Sequence, residues 1–257
     1  MQAIDTHCHV SHTIKKGLPL EKMLKHCQEE KVIAFIDSPV YLDEYKQAIK
    51  NHQEHPKEIF VTLGIPPARY HELPIEEYLE LMRKYAKTED IVGIGEVGLD
   101  YYWVKKEPLR QKQHEIFQQF IELANGLKLP ITIHSRDAEA KAVEILEENA
   151  RTTVVMHSFA GTVETAQKCV ENQFYISIPT AVTNRKKHRR VARTVPLELL
   201  VVETDSPYLS PLKNRRLNEP ANVTYAVKEI AKLKDLSEEE VYEQTTKNAI
   251  EIFKLPI

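Results

Sequence analysis

The chain has 257 residues, 28% of them charged and 42% hydrophobic, with a formal net charge of −3. That length suits one α/β barrel with a full core, and the near-balanced charge excludes a global attraction to polyanions or membrane surfaces, so any anion must be held by a local patch. Three scattered cysteines without a C-x-x-C pair, and apolar runs as short as Val32 to Ile36, exclude a disulfide framework and a spanning helix and fit a reducing, cytoplasmic setting.

Eight apolar or alternating runs read as strands: Gln2–His7, Val32–Ser38, Ile59–Gly64, Ile91–Val97, Pro130–His134, Thr153–His157, Phe174–Ile178 and Leu199–Thr204. Helical periods separate them. Leu20, Met23, Leu24 and Cys27 fall at i, i+3, i+4 and i+7, as do Ile75, Tyr78, Leu79 and Met82, and again Val223, Ala226, Val227 and Ile230. Pro19, Pro74 and Pro108 mark helix starts, and Ser237 with Glu240 forms a capping box opening a last helix that runs to about Phe253. Strand–helix alternation predicts parallel sheet. An open doubly wound sheet is the rival, but the first strand is followed by Asp5-Thr6-His7-Cys8-His9 where that fold carries a glycine-rich loop. The expected architecture is a single (β/α)8 TIM barrel over residues 1–257, a parallel eight-stranded barrel with outer helices.

The strand ends carry metal-seeking side chains: His7, His9, Glu96, His134, His157 and Asp205. Imidazoles and carboxylates are ligands for Zn²⁺, Mn²⁺ or Mg²⁺, and a barrel gathers the ends of distant strands at one mouth. By alternation His7 and His9 share a face, with Asp5 on it one step deeper. Glu96 lies in Gly93-Ile94-Gly95-Glu96-Val97-Gly98-Leu99-Asp100, where three glycines allow close backbone approach and leave one carboxylate to reach the mouth, suited to bridging two cations. Asp100 either orients a ligand or caps the turn. Glu203 shares the face of Asp205, and acids after Leu-Leu-Val-Val need partners. The other seven histidines, His12, His26, His52, His55, His71, His114 and His188, read as helix or loop residues outside the site. The set implies a metal-dependent hydrolase.

Two basic clusters follow the seventh and eighth strands, Arg185 to Arg193 and Lys213 with Arg215 and Arg216, where barrels commonly bind phosphate. A solvated helix face explains the first equally well. Tyr101, Tyr102, Trp103 and Phe159 offer faces for stacking bases or for packing on a helix.

The motifs Asp5-Thr6-His7-Cys8-His9, Gly95-Glu96-Val97-Gly98-Leu99-Asp100-Tyr101-Tyr102, His134-Ser135-Arg136, His157-Ser158-Phe159-Ala160-Gly161, Glu203-Thr204-Asp205-Ser206-Pro207-Tyr208-Leu209 and Asn218-Glu219-Pro220 together resemble the TatD-type metal-dependent deoxyribonucleases of the amidohydrolase superfamily. The resemblance implies two divalent metal ions, one held by His7, His9 and Asp205, the other by His134 and His157, with Glu96 between them. It implies hydrolysis of DNA, as single strands or 3′ ends, in the manner of a 3′–5′ exonuclease. Asp205 and Glu96 are then the expected catalytic residues, with Arg136, Tyr101, Phe159 and Arg215 touching substrate and no obligate protein partner or membrane. In two places the chain departs from the family's pattern. Gly64-Ile65-Pro66-Pro67-Ala68 stands where the family has Gly-x-His-Pro-His, and Pro179 and Thr180 stand near an expected glycine. The ligand set is thus intact while the substrate grip is altered. The same activated water would attack a carbonyl, so an amidase, lactonase or aminoacyl-tRNA deacylase is the alternative enzyme, and a binding module on a decayed barrel is the non-enzymatic one.

Overall fold

The computed structural model describes residues 1–212 and 217–257. Its strands are β1 (Ala3–Cys8), β2 (Val32–Asp37), β3 (Ile59–Leu63), β4 (Gly93–Asp100), β5 (Ile131–Arg136), β6 (Val154–Met156), β7 (Tyr175–Pro179) and β8 (Leu200–Glu203). The helices are α1 (Val10–Lys15), α2 (Leu20–Glu29), α3 (Leu42–Glu54), α4 (Ile75–Lys87), α5 (Glu107–Leu127), α6 (Glu139–Asn149), α7 (Val163–Glu171), α8 (Lys186–Thr194), α9 (Val223–Lys234) and α10 (Glu238–Phe253). Each of the eight expected strands forms where the apolar run lies. The strands pair in parallel and in sequential order. At the seam Cys8 bridges Ser206, Asp205 N donates to His7 O (3.0 Å) and His9 N donates to Ser206 O (2.7 Å). The fold is a (β/α)8 barrel.

Helix period decides what each helix buries. Met23 and Cys27 of α2, Tyr78, Leu79 and Met82 of α4, and Val223, Ala226, Val227 and Ile230 of α9 are all buried against the sheet. Pro19 and Pro74 precede α2 and α4, Pro108 occupies the first turn of α5, and Ser237 and Glu240 make the reciprocal capping box of α10. Such a cap is worth about 1 kcal/mol. Among the described residues no helix is long and apolar enough to cross a membrane.

Strand alternation separates two apolar layers. Phe35, Val61, Ile133, Met156 and Val202 pack with the helices. Ile4, Ala34, Ile36, Phe60, Val155 and Val201 pack together inside the barrel, with Ile252, Phe253 and Leu255 at the end of α10. Stepping two residues along the inner row from Val155 reaches His157, and from Val201 reaches Glu203 and then Asp205. Period two thus carries the inner row from an apolar floor to a polar mouth.

The first strand breaks the rule. Ile4 takes the inner row, and Thr6 Oγ1 meets Ser177 Oγ of β7 at 3.3 Å, so strict alternation would turn Asp5 and His7 outward together. A register shift between Asp5 and Cys8 brings His7 back to the mouth. The expectation that Asp5 shares the ligand face is therefore corrected. Its carboxyl accepts from Thr204 N (2.8 Å), Thr204 Oγ1 (2.5 Å) and His7 N (3.3 Å), clamping β1 to β8 beneath the mouth.

Candidate metal centre

Six side chains from five strand ends converge where the inner row turns polar. His7 Nε2 and His9 Nε2 are 3.4 Å apart, His9 Nε2 is 3.4 Å from Asp205 Oδ1, and His7 Nε2 is 4.0 Å from the same oxygen. Glu96 lies between two groups of imidazoles. Its Oε2 is 3.5 Å from His7 Nε2 and 3.7 Å from His9 Nε2, while its Oε1 abuts His134 Nδ1 and is 3.9 Å from His157 Nε2. His7, His9 and Asp205 bring one ligand atom each within 4.8 Å of one another, and so do His7, Glu96 and His157. His7 thereby belongs to both groups, and His134 joins through Glu96.

Local backbone puts Glu96 there. A register shift between Ile94 and Val97 interrupts the β4–β5 ladder at Glu96. Gly98 has φ +140°, and a side chain there would overlap the carbonyl oxygen of His134. A side chain at Gly64 would likewise overlap the Glu96 backbone, and Ile65 N donates to Glu96 O at 2.9 Å. The segment that departs from the family's histidine-bearing stretch is thus a support for the strand carrying Glu96.

Carboxylates behind the imidazoles fix their orientation. Asp100 Oδ2 is 3.0 Å from His134 Nε2, and Glu203, fully buried, is 3.0 Å from His157 Nδ1. Asp100 also accepts Trp103 N at 2.8 Å, so it both orients the His134 imidazole and caps the turn. Burial opposes charge on every group here, yet the pairings prevail for most. His157 is raised to about 10 by Glu203 and Glu96, His134 to about 9 by Glu96 and Asp100, and His9 to about 9 by Asp205 and Glu96. The carboxyl of Glu96, against its own desolvation, is held well below its usual range by His134 and His157. Burial, then His157, lowers His7. Changing Glu203 to glutamine keeps the shape but removes the charge behind His157, and should weaken metal affinity about 10- to 100-fold, read by competition with a chelator. Unchanged affinity would show that His157 needs no such support.

The centre opens into a cavity of about 1100 Å³ whose walls include Lys16, Arg136, Arg185, Lys186 and Lys187. The basic run after β7 therefore divides. Its first residues face the cavity, and Arg189 turns away to pair with Glu229 of α9. Of the residues expected to touch substrate, Arg136 lines the cavity, while Arg215, like Lys213 and Arg216, lies outside the described residues. Phe159 does not fit that role. It is fully buried, and Gly161 leaves room for its ring. Tyr101 is drawn aside by His114 Nε2 on its hydroxyl (2.6 Å) and the Arg110 guanidinium over its ring (4.3 Å). The exposed aromatics on the cavity wall are Trp103, 66% exposed, and Tyr208. Trp103 is among the aromatics that the sequence offers for stacking, and Tyr208 is not. His188, read as an outside residue, is buried beside the cavity with Nδ1 3.0 Å from Phe159 O.

The family described as TatD related DNase matches residues 4–254. The chain belongs to that family. It is 34% identical over 256 residues, covering 98% of both chains, to the uncharacterized metal-dependent hydrolase YabD of Bacillus subtilis. It is 28% identical to the human deoxyribonuclease TATDN3, across 97% of this chain and 94% of that one. Among solved structures, the TatD homologue YjjV of Escherichia coli superimposes with a TM-score of 0.87 at 22% identity, over 99% of this chain and 98% of the other. The chain is a metal-dependent hydrolase of the TatD family, and His7 with His9 and Asp205, and His7 with Glu96 and His157, are groups that could hold a metal ion.

Proposed function

We propose that this TatD-family protein is a two-metal phosphodiesterase that hydrolyses DNA, taking single strands or 3′ ends as a 3′–5′ exonuclease does. The observation that carries the reading is the division of Glu96, whose two oxygens face separate pairs of imidazoles. A carboxylate so placed joins two ligand groups. His134 Nδ1 supports the fit: it is buried beside Glu96 Oε1 with no hydrogen-bond partner, an electron-pair donor left free for a cation. The mixed imidazole and carboxylate set suits Zn²⁺, Mn²⁺ or Mg²⁺. Bound divalent ions would supply Lewis acidity toward a phosphoryl oxygen and an attacking water.

The chain's own groups supply the rest. Asp205, held ionised by His9 against burial, is placed to accept the proton of the attacking water. Arg136, Arg185 and Lys187 line the wall where non-bridging phosphate oxygens would lie, and charge-assisted hydrogen bonds from them would hold an anionic substrate. Among the described residues five cations line the cavity against the two acids Asp137 and Glu139 outside the metal centre, a balance that favours a phosphodiester over a neutral carbonyl compound. The segment from Gly64 to Pro67, which contributes no imidazole and instead supports β4, favours the alternative carbonyl hydrolase.

Purified protein given a single-stranded oligonucleotide and a panel of esters, lactones and amides separates the two. The expected result is chelator-sensitive cleavage of the oligonucleotide, with affinity falling as salt rises by a log–log slope of about −0.7 per phosphate contact. Turnover of carbonyl compounds alone would reject the nuclease reading, and a flat salt response would remove the basic wall from the site.

A further inference from the structure

The loop following β8 and the helices α1 and α3 that follow β1 and β2 bring Tyr208, His12 and Glu44 together on the side of the cavity next to His9. Glu44 is buried near the start of α3, and no part of the metal centre uses it. Its Oε1 collects Ser11 Oγ at 2.7 Å, Lys15 Nζ at 3.0 Å and His12 Nε2 at 3.2 Å, and Val40 N donates to Oε2 at 3.4 Å. Burial opposes its charge, but the His12, Ser11 and Lys15 bonds hold the carboxyl far below its usual range, so it is an acceptor only. An acceptor at Nε2 fixes a proton of His12 on that nitrogen. The other nitrogen, Nδ1, is then turned to the Tyr208 hydroxyl, 3.3 Å away.

The imidazole is held on its faces as well. His12 stacks on His9 with ring centroids 5.1 Å apart, and the Tyr208 ring stands edge-on to it at 6.2 Å. Tyr208 is 43% exposed and lines the cavity, its own N donates to Asp205 O at 2.9 Å, and the Lys16 ammonium sits 4.4 Å from the ring centroid. A carboxylate buried against four donors, linked to the cavity through one imidazole and one phenol, does more than pack.

We propose that Glu44 and His12 are positioning residues that hold the Tyr208 hydroxyl at the mouth of the metal centre, where its proton goes to His12 Nδ1 and its oxygen accepts a hydrogen bond from a sugar hydroxyl of the substrate. The nature of that hydroxyl rests on the nuclease reading above. The relay itself rests on the geometry of the three segments.

The test uses the full chain with Tyr208→Phe, His12→Phe and the double variant, each close in shape to the original. Binding of thymidine monophosphate is followed by calorimetry and oligonucleotide cleavage by steady-state kinetics. Each single variant should raise the Kd and the KM about fivefold, as one neutral hydrogen bond does, with kcat within about twofold. Metal content should be unchanged in both, the thermal midpoint should be unchanged in Tyr208→Phe, and the double variant should bind no more weakly than either single one. Wild-type Kd and KM in Tyr208→Phe would overturn the contact, and additive losses in the double variant would overturn the relay. If the wild-type protein binds no thymidine monophosphate and turns over only a carbonyl compound, the nuclease reading falls. The KM split is then read on that compound, where an unchanged Tyr208→Phe overturns the proposal as well.

Discussion

Replacing Glu96 with alanine should lower turnover by about 10³-fold or more, the scale on which the loss of one group stabilising reaction charge is felt. Three consequences of its position combine. The carboxylate joining the His7–His9 pair to the His134–His157 pair disappears, leaving the ring contact of His7 with His157 as the link between them. The carboxylate that helps raise His9, His134 and His157 is gone, leaving each imidazole with only its own partner, Asp205, Asp100 or Glu203. With no bridging donor, the metal content should fall from about two equivalents, measured by elemental analysis of protein dialysed against limiting metal. Glu96→Gln separates charge from shape. It fills the same volume, so it should fold normally and still lose most of its metal and turnover. A Glu96→Ala protein that kept its full metal content and its rate would remove Glu96 from the centre.

The largest expected effect on stability belongs to a residue with no side chain. Gly98→Ala places a Cβ into the carbonyl oxygen of His134 at a φ of +140°, which L-residues rarely adopt, so β4 must part from β5. Backbone strain and overpacking together should cost about 3–5 kcal/mol. For a chain of this length that lowers the thermal midpoint by roughly 10 °C. The displaced strand also carries Glu96 and Asp100, and its neighbour carries His134, so turnover should fall beyond what the loss of folded protein explains. Gly126→Ala is the control. Nothing lies within 4 Å of the added methyl in α5, and the exchange should stabilise the helix by about 0.5–1 kcal/mol. Equal midpoints for the two variants would contradict the close approach at Gly98.

The barrel was legible because its signals are local and repeated. Each apolar run ends where the strand leaves the core, and the polar residue closing it marks the mouth, which is how His134, His157 and Asp205 stand out. What period two cannot show is where the period fails. Alternation puts Asp5 on the ligand face only if it runs unbroken through a stretch where the register shifts. Loop side chains were harder, because their direction depends on partners from other loops. Phe159 and Tyr101 look like Trp103 in sequence, yet one fills the space left by Gly161 and another is held by His114 and Arg110. His12 gave no sign of its place, because the Glu44 that orients it comes from the next βα unit.

The seam where the barrel closes also sets when the centre can exist. Asp5 grips Thr204 across 199 positions of sequence, and the residues on either side of that grip supply His7 and Asp205. A growing polypeptide therefore carries scattered imidazoles but no joined pair of ligand groups until the eighth strand has left the ribosome and docked on the first. Loading of the ion is then a late event in biogenesis, and fragments lacking either end should not compete for it.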